Sequence, residues 1–166
     1  MKRLSGLLSF LVFISLIIFT SCSSGDDDSP SLTDAQQAAV DLTANTWVIN
    51  DSNNNVRYNN EISDFDWNGF TLNFTLNANG STNGSYSTNV QNVTPTDPDG
   101  NDATDVWAQT ESTWSVSSRT ALTKDETAAG MVLTDTQLTL TFTISAPPAR
   151  ESGVFDQEWI FIFSAQ

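Results

Sequence analysis

Two segments alternate strictly between apolar and polar side chains, and this pattern constrains the fold more than any other feature of the chain. Residues 70–76 place four apolar side chains at every second position, with threonine and asparagine between them. Residues 138–144 repeat the arrangement with threonine. Because successive side chains of a β-strand point to opposite faces, both segments are predicted to be strands with one buried face.

Further strands are predicted around these two. Asn79-Gly80 favours a tight turn after the first segment, and a weaker strand returns over 86–90. Shorter strands are predicted over 113–118, 120–123 and 129–132, and a long acidic loop over 91–106. The last strand, 155–163, is apolar on both faces at its end, which favours a place in the middle of a sheet or beneath a helix.

One helix is predicted before the strands. Thr33 and Gln36 have the spacing of a capping box, and Leu32, Ala35, Ala39 and Leu42 follow helical spacing up to about Ala44. About eight strands with regular turn signals predict an all-β domain over residues 32–166. We expect a single antiparallel barrel or sandwich with a short N-terminal helix.

The N-terminal segment has the pattern of a secretory signal peptide over residues 1–21. Lys2 and Arg3 precede an apolar run of 13 residues, 7–19. A membrane-spanning helix needs about 20. Residues 19–22, Phe-Thr-Ser-Cys, resemble a bacterial lipobox, which implies cleavage before Cys22 and lipid attachment to it. Cys22 is also the one cysteine of the chain.

Residues 22–31 are predicted to be a flexible acidic tether. Three adjacent aspartates, 26–28, repel one another and keep such a segment extended. A solvated spacer explains them. An acidic cluster so close to a lipidated cysteine also resembles the surface-export tether of Bacteroidota lipoproteins. That resemblance implies a protein anchored in the outer membrane through Cys22 and facing the cell exterior.

Charge and composition exclude several function classes. The chain has six basic and 20 acidic residues, and loss of Lys2 and Arg3 with the signal peptide leaves a formal net charge of −16. Nucleic acid is therefore not an expected partner. The chain has no histidine, which excludes histidine-dependent triads and the usual zinc sites. A pair of carboxylates remains possible, but we expect no enzyme.

Five blocks of sequence occur in an order that resembles the small lipocalin-like lipoproteins of Bacteroidota. They are 46–47 (Thr-Trp), 69–75 (Gly-Phe-Thr-Leu-Asn-Phe-Thr), 112–116 (Ser-Thr-Trp-Ser-Val), 133–140 (Leu-Thr-Asp-Thr-Gln-Leu-Thr-Leu) and 157–161 (Gln-Glu-Trp-Ile-Phe). Asn45 and Ser112 stand where that family usually has glycine. The resemblance covers roughly residues 40–163. It implies an eight-stranded, partly open barrel and extracytoplasmic ligand binding.

Aromatic residues are the candidates for ligand contact. Trp67 and Trp107 lie at junctions between loops and strands, where they could shape a barrel mouth or act as a lid that closes it. Tyr58 and Phe65 share those two interpretations. A bound ligand would also contact the residues predicted to line the interior: Phe70, Phe74, Trp114 and Phe161.

One acidic cluster could bind calcium. Its members are Asp97, Asp99, Asn101, Asp102 and Asp105. Calcium prefers six to eight oxygen ligands, but the cluster lacks the EF-hand spacing, and a solvated turn explains it as well. No other cofactor is predicted.

Two functions remain open. The first is capture of a small apolar or glycan ligand by the barrel of a surface lipoprotein. The second is a structural or interaction lipoprotein with a filled core, which contacts another envelope protein. Since an eight-stranded barrel is just wide enough for side chains to fill, sequence alone does not choose between them.

Overall fold

Ten strands and three helices make up the part of the chain that the computed structural model describes, residues 31–100, 103, 106–107, 111–144 and 157–166. In chain order they are α1 (Asp34–Thr43), β1 (Thr46–Val48), α2 (Ser52–Asn55), β2 (Val56–Tyr58), β3 (Glu61–Ile62), β4 (Thr71–Leu76), β5 (Asn83–Thr88), α3 (Val90–Val93), β6 (Ser112–Ser118), β7 (Ala121–Lys124), β8 (Thr127–Leu133), β9 (Gln137–Ile144) and β10 (Gln157–Ala165). Residues Leu32–Gln166 belong to one compact unit. The predicted signal peptide and lipidation site lie outside the described residues.

Eight of the strands form a closed antiparallel barrel. Strands β4 to β10 pair in sequence order, and β1 pairs with both β4 and β10. Trp47 therefore lies opposite Leu72 on one side and Ala165 on the other. The prediction of a single antiparallel β-domain of about eight strands is confirmed, and the architecture is compatible with a lipocalin-like fold. The resemblance implied a partly open barrel, whereas the structure closes it.

Strands β2 and β3 form a hairpin that extends the sheet beyond the barrel. Val56 of β2 pairs with Phe161 of β10, on the same side of β10 that pairs with β1 nearer its end. Segment 49–55 separates β1 from β2. The two strands therefore pair with different parts of the same side of β10, with a gap between them. This interruption creates the loop region in which the candidate site lies.

Helix α1 begins with the predicted capping box. The Thr33 backbone N–H donates to Oε1 of Gln36 at 2.9 Å, and the Gln36 backbone N–H donates to Oγ1 of Thr33 at 3.2 Å. The buried face differs slightly from the predicted one: it consists of Ala38, Ala39 and Leu42, whereas Leu32 is 45% exposed. Leu32 lies before the cap, so it is not part of the helical face.

The barrel has two different ends. Helix α1 lies at one end of the barrel, which we call the helix end. There, Nε2 of Gln36 donates to the Gly80 carbonyl at 2.8 Å, and Arg119 forms an ion pair with Asp41 at 2.7 Å. The opposite end, where β1 stops and β4 and β10 begin, is the loop end. Segments 49–70 and 89–111 and the β7–β8 turn connect strands there.

Alternation along the strands produces the core. Seven of the side chains predicted to face inward on β4, β6 and β9 are buried: Leu72, Phe74, Trp114, Val116, Leu138, Leu140 and Phe142. Leu76 is partly buried, and Trp159, Phe161 and Phe163 of β10 are at most 3% exposed. Ile160 and Ile162 point to the outer face and are half-buried. As predicted, β10 lies in the middle of the sheet, between β9 on one side and β1 and β2 on the other.

Candidate functional site

The aromatic residues predicted to contact a ligand all belong to the core at the loop end. Tyr58 and Phe65 are partly buried, and their ring centroids lie 4.9 and 6.3 Å from that of Trp159. Trp67 also contacts Trp159, at 5.9 Å. The exposed fractions of Trp67 and Trp107 are 0% and 1%, so neither ring presents a face to solvent.

Aromatic rings fill the barrel interior around Phe161. Its ring centroid is 4.9 Å from Trp67, 5.4 Å from Trp107, 5.5 Å from Trp159, 5.6 Å from Phe142 and 6.1 Å from Phe163. The residues predicted to line the interior are also buried: Phe70, Phe74, Trp114 and Phe161. These separations are those of directly packed aromatic side chains. The protein is a β-barrel with a buried aromatic core.

The five tryptophans differ in how their indole N–H groups are satisfied. Trp47 donates to the Leu42 carbonyl at 2.8 Å, and Trp114 donates to the Ser85 carbonyl at 2.8 Å. The Nε1 atoms of the other three, Trp67, Trp107 and Trp159, are buried and have no hydrogen-bond partner among the described residues. Native proteins pair the large majority of their buried polar atoms, so these three donors require an explanation.

A partly buried ion pair lies beside Trp107. The Lys124 side chain is 12% exposed, and its ammonium group lies 2.7 Å from a carboxylate oxygen of Asp125. The same ammonium group faces three rings, with centroid distances of 5.0 Å to Trp107, 5.6 Å to Tyr86 and 5.8 Å to Phe142. A cation over an aromatic face is stabilised by the ring quadrupole. Lys124 therefore holds the ring of Trp107 in place while its charge stays paired.

The carboxylate of Asp125 accepts hydrogen bonds from three side chains. Besides Lys124, the hydroxyls of Tyr86 and Ser112 donate to it. Burial alone would raise the pKa of the Asp125 carboxyl, but the hydrogen bonds from Lys124, Ser112 and Tyr86 outweigh burial and hold that pKa below its usual value. The turn that carries Asp125 has positive φ at Asp125 and Glu126, as a two-residue hairpin turn requires.

A small polar cleft lies at the loop end, beside the aromatic core. We call it the loop-end cleft. It has a volume of about 250 Å³ and is lined by Ser52, Asn53, Ser63, Asp64, Phe65, Asp66 and Asn68. Helix α2 supplies its first two residues and segment 63–68, which precedes β4, supplies the others.

Hydrogen bonds fix the two walls of the loop-end cleft against each other. The hydroxyl of Ser52, 3% exposed, donates to the Phe65 carbonyl and accepts from the Trp67 backbone N–H, both at 3.0 Å. The Ser52 backbone N–H donates to the side-chain carbonyl of Asn68 at 3.0 Å. Asp66 in turn accepts from the Asn68 side chain at 2.6 Å. The walls are held by side chains, so the cleft is preformed.

The surface of the loop-end cleft offers both hydrogen-bonding groups and an aromatic ring. Asn53 and Asp64 are exposed, and Phe65 is partly buried, with its ring against Trp159. Amides both donate and accept, and ionised carboxylates accept. An edge of aromatic carbon beside such groups suits a ligand with hydroxyl groups and apolar C–H faces.

The predicted calcium cluster is described only in part. Asn101, Asp102 and Asp105 lie outside the described residues. Asp97 accepts from the Asp99 backbone N–H at 3.0 Å in a turn where Gly100 has φ 83°. Across the described part of the chain, no three histidine, cysteine, aspartate or glutamate side chains are placed so that they could hold a metal ion. This geometry is that of the acidic turn that was the alternative to a calcium site.

The comparisons with known proteins add no family. No protein-family model, no curated protein and no solved structure matches this chain. Within the described ranges, no helix is both long enough and apolar enough to cross a membrane. The site is therefore interpreted from its own residues.

Sequence reasoning missed two groups of residues at this end. Ser52 and Ser63 belong to a polar stretch that looks like an ordinary loop, yet both are buried. Lys124 precedes two acidic residues in a turn, a pattern that usually indicates a solvated tip. The run Asp66-Trp67-Asn68-Gly69 was the available signal for the cleft, because aspartate and asparagine favour turns closed by their own side chains.

Proposed function

We propose that this protein is a lipid-anchored envelope protein that binds a small glycan in the loop-end cleft. The supporting observation is the cleft itself, a preformed depression whose described lining is polar except for Phe65. Its volume of about 250 Å³ is below the roughly 300 Å³ of the smallest usual ligand sites, so it suits one sugar ring rather than a long apolar chain. The rings packed around Phe161 argue against an apolar ligand in that part of the interior.

The proposed cellular location rests on the N-terminal sequence. Cys22 would carry the lipid that anchors the protein in the outer membrane, and the acidic tether would present the barrel to the cell exterior. The lipocalin-like resemblance supports this assignment through the compatible barrel. We infer a binding protein rather than an enzyme, since the chain has no histidine and its lone cysteine is assigned to the anchor.

A second candidate function is supported by the filled core. A barrel that is stabilised by its own aromatic rings can serve as a rigid scaffold whose outer surface contacts another envelope protein. In that case the loop-end cleft would bind no sugar, and affinity would depend on exposed residues elsewhere. Glycan binding predicts saturable binding in a titration with free sugars, whereas the scaffold function predicts none.

Calorimetric titration of the full chain in detergent, with a panel of neutral mono- and disaccharides, tests the proposal. We expect saturable binding by the unchanged protein. Asn53→Ala and Asp64→Ala should each weaken it by about tenfold, since each removes exposed hydrogen-bonding groups from the cleft. Asn79→Ala and Asp135→Ala make the same chemical changes at exposed positions of the helix end and should leave affinity unchanged.

Absence of heat with every sugar would contradict glycan binding and favour the scaffold. Binding that survives both cleft substitutions would place the ligand elsewhere. The anchor is tested separately: Cys22→Ala should move the protein out of the membrane fraction, and protease added to intact cells should digest the unchanged protein. Complete protection on intact cells would contradict the exterior location.

A further inference from the structure

Three tryptophans with unpaired indole donors pack around one residue, Phe161, in the core at the loop end. The indole N–H groups of Trp67, Trp107 and Trp159 have no partner among the described residues, although all three rings are at most 3% exposed. All three rings contact Phe161. Trp47 and Trp114, in contrast, both donate to backbone carbonyls. Among the tryptophans, the indole donors that lack an acceptor are therefore confined to the core around Phe161.

Contacts with aromatic faces do not replace these acceptors. The ring of Phe161 is nearly perpendicular to those of Trp67, at 89°, and Trp107, at 80°. An N–H group directed at a ring face recovers less free energy than a bond to oxygen. Trp159 is stacked on Phe161 at 16°, and its one T-shaped contact is with Trp67, at 77°. In a T-shaped pair one ring presents its face to the edge of the other. At most one of these two indole N–H groups can therefore point at the ring face of its partner.

The chemistry of the site favours an uncharged oxygen acceptor. An anion would need a positive partner to offset its desolvation. Lys124 is the cation that the structure describes next to this cluster, 5.0 Å from the Trp107 ring, and its charge is already paired with Asp125. A neutral oxygen accepts from N–H groups without that desolvation cost.

We propose that Trp67, Trp107 and Trp159 form a donor site that binds uncharged oxygen inside the barrel. The oxygen belongs to a buried water or to a carbonyl, ether or hydroxyl group of a small bound molecule; the two sources share one chemistry. The site is separate from the loop-end cleft, because its donors are covered by the core and the cleft opens to solvent. It stands whether or not the cleft binds a glycan.

Indole proton NMR of the unmodified full chain in detergent tests the proposal. The five indole signals are assigned from contacts to their ring neighbours, so no core variant has to fold. Trp47 and Trp114 serve as internal controls for an N–H bonded to oxygen. We expect the signals of Trp67, Trp107 and Trp159 to lie in the same low-field range as those controls.

Two further readouts separate the sources. A cross-peak between these indole protons and a long-lived water identifies buried water. An extra mass in native mass spectrometry, lost on denaturation and retained in Asn53→Ala and Asp64→Ala, identifies a molecule bound outside the loop-end cleft. Either result supports the donor site. Indole signals shifted to high field by ring currents, with no water cross-peak and a bare mass, would overturn it, because the donors would then face aromatic rings alone.

Discussion

A Cβ atom added to Gly84 on β5 would lie 1.7 Å from the Thr75 carbonyl oxygen and 3.0 Å from Nε1 of Trp114. That oxygen belongs to the backbone of β4, which cannot move aside without breaking the pairing of the two strands. Glycine is therefore required by close approach rather than by an unusual φ. Its conformational cost in a strand is tolerated because the Trp114 indole packs across it.

We predict that Gly84→Ala lowers the free energy of unfolding by about 1–3 kcal/mol, the usual range for overpacking. Gly130→Ala is the matched control, since its Cβ would lie 3.8 Å from Thr141, an ordinary contact. The control should be neutral or slightly stabilising. Urea denaturation measures both variants. Equal stability of the two would show that the contact at Gly84 does not exist.

The stability of the barrel depends on pH through Asp125, and the lowered pKa of this carboxyl sets the direction. Its pKa is lowered in the folded protein, so the carboxylate contributes stability above its ordinary value of 3.8. That contribution is lost as the pH falls through the lowered folded value. The hydroxyls of Tyr86 and Ser112 donate to different oxygens of Asp125. Asp125→Asn removes the charge that pairs with Lys124 and keeps one carbonyl acceptor, so only one of the two hydroxyls can still donate to the side chain.

We predict that Asp125→Asn loses about 1–2 kcal/mol at neutral pH. This difference shrinks below the ordinary carboxyl pKa, because there the unfolded wild type takes up a proton that the folded wild type binds less readily. Urea denaturation at neutral pH and at about pH 2.5, below the ordinary carboxyl pKa, measures the change. Asp135→Asn, at an exposed turn, is the control and should show little effect at either pH. A difference that grows on acidification would contradict the assigned direction.

At the scale of elements, the loop between α3 and β6 supplies part of the core. Ala103, Val106 and Trp107 are at most 8% exposed. Trp107 packs on Phe70, Tyr86, Phe142, Phe161 and Phe163, and Lys124 covers it. The predicted acidic loop, 91–106, thus contributes buried residues to the core, together with Trp107, which the sequence placed at a barrel mouth or in a lid.

Trp107→Ala is predicted to cost about 3–5 kcal/mol, because the cavity left by the indole adds to the lost burial. Val132→Ala, at a position 62% exposed, should change stability by less than about 0.5 kcal/mol. Denaturant unfolding of the two variants provides the comparison. A loss for Trp107→Ala as small as that of the control would mean that the tryptophan does not hold the loop in the core.

Elements with strong local patterns were predictable, and those that depend on distant pairing were not. The alternation in β4 and β9 and the capping box of α1 determine structure within a few residues, and all three appear as predicted. Strand β1 has three residues, and its place follows from partners 27 and 118 residues away, Thr46 with Asn73 and Trp47 with Ala165. Segment 52–62 is rich in asparagine, which obscured α2, β2 and β3.

The candidate site was predictable only in its aromatic part. Tyr58, Phe65 and Trp67 were singled out by sequence and do lie together around Trp159. Whether a tryptophan is at a mouth or inside a core depends on how far its loop folds inward, which local sequence does not encode. The polar lining of the cleft was missed because serine and asparagine in loops are common.

For the whole molecule, the buried aromatic core favours recognition at the surface over recognition in the part of the interior around Phe161. The rings around Phe161 and the ion pair of Lys124 and Asp125 lie at the loop end, and Phe65 of the loop-end cleft packs against Trp159 of that core. The formal net charge of −14 also makes a neutral ligand more suitable than an anion. In the proposed function, the barrel presents the loop-end cleft to its surroundings.

A chemical-shift titration of the full chain with the tightest-binding neutral sugar tests this arrangement most directly. The predicted result is a set of saturable shifts confined to the backbone and side-chain amides of residues 52–53 and 63–68, with interior signals such as that of the Trp114 indole unchanged. Shifts centred on the Trp114 and Trp107 indoles, with residues 52–68 unaffected, would contradict it and place the ligand inside the barrel.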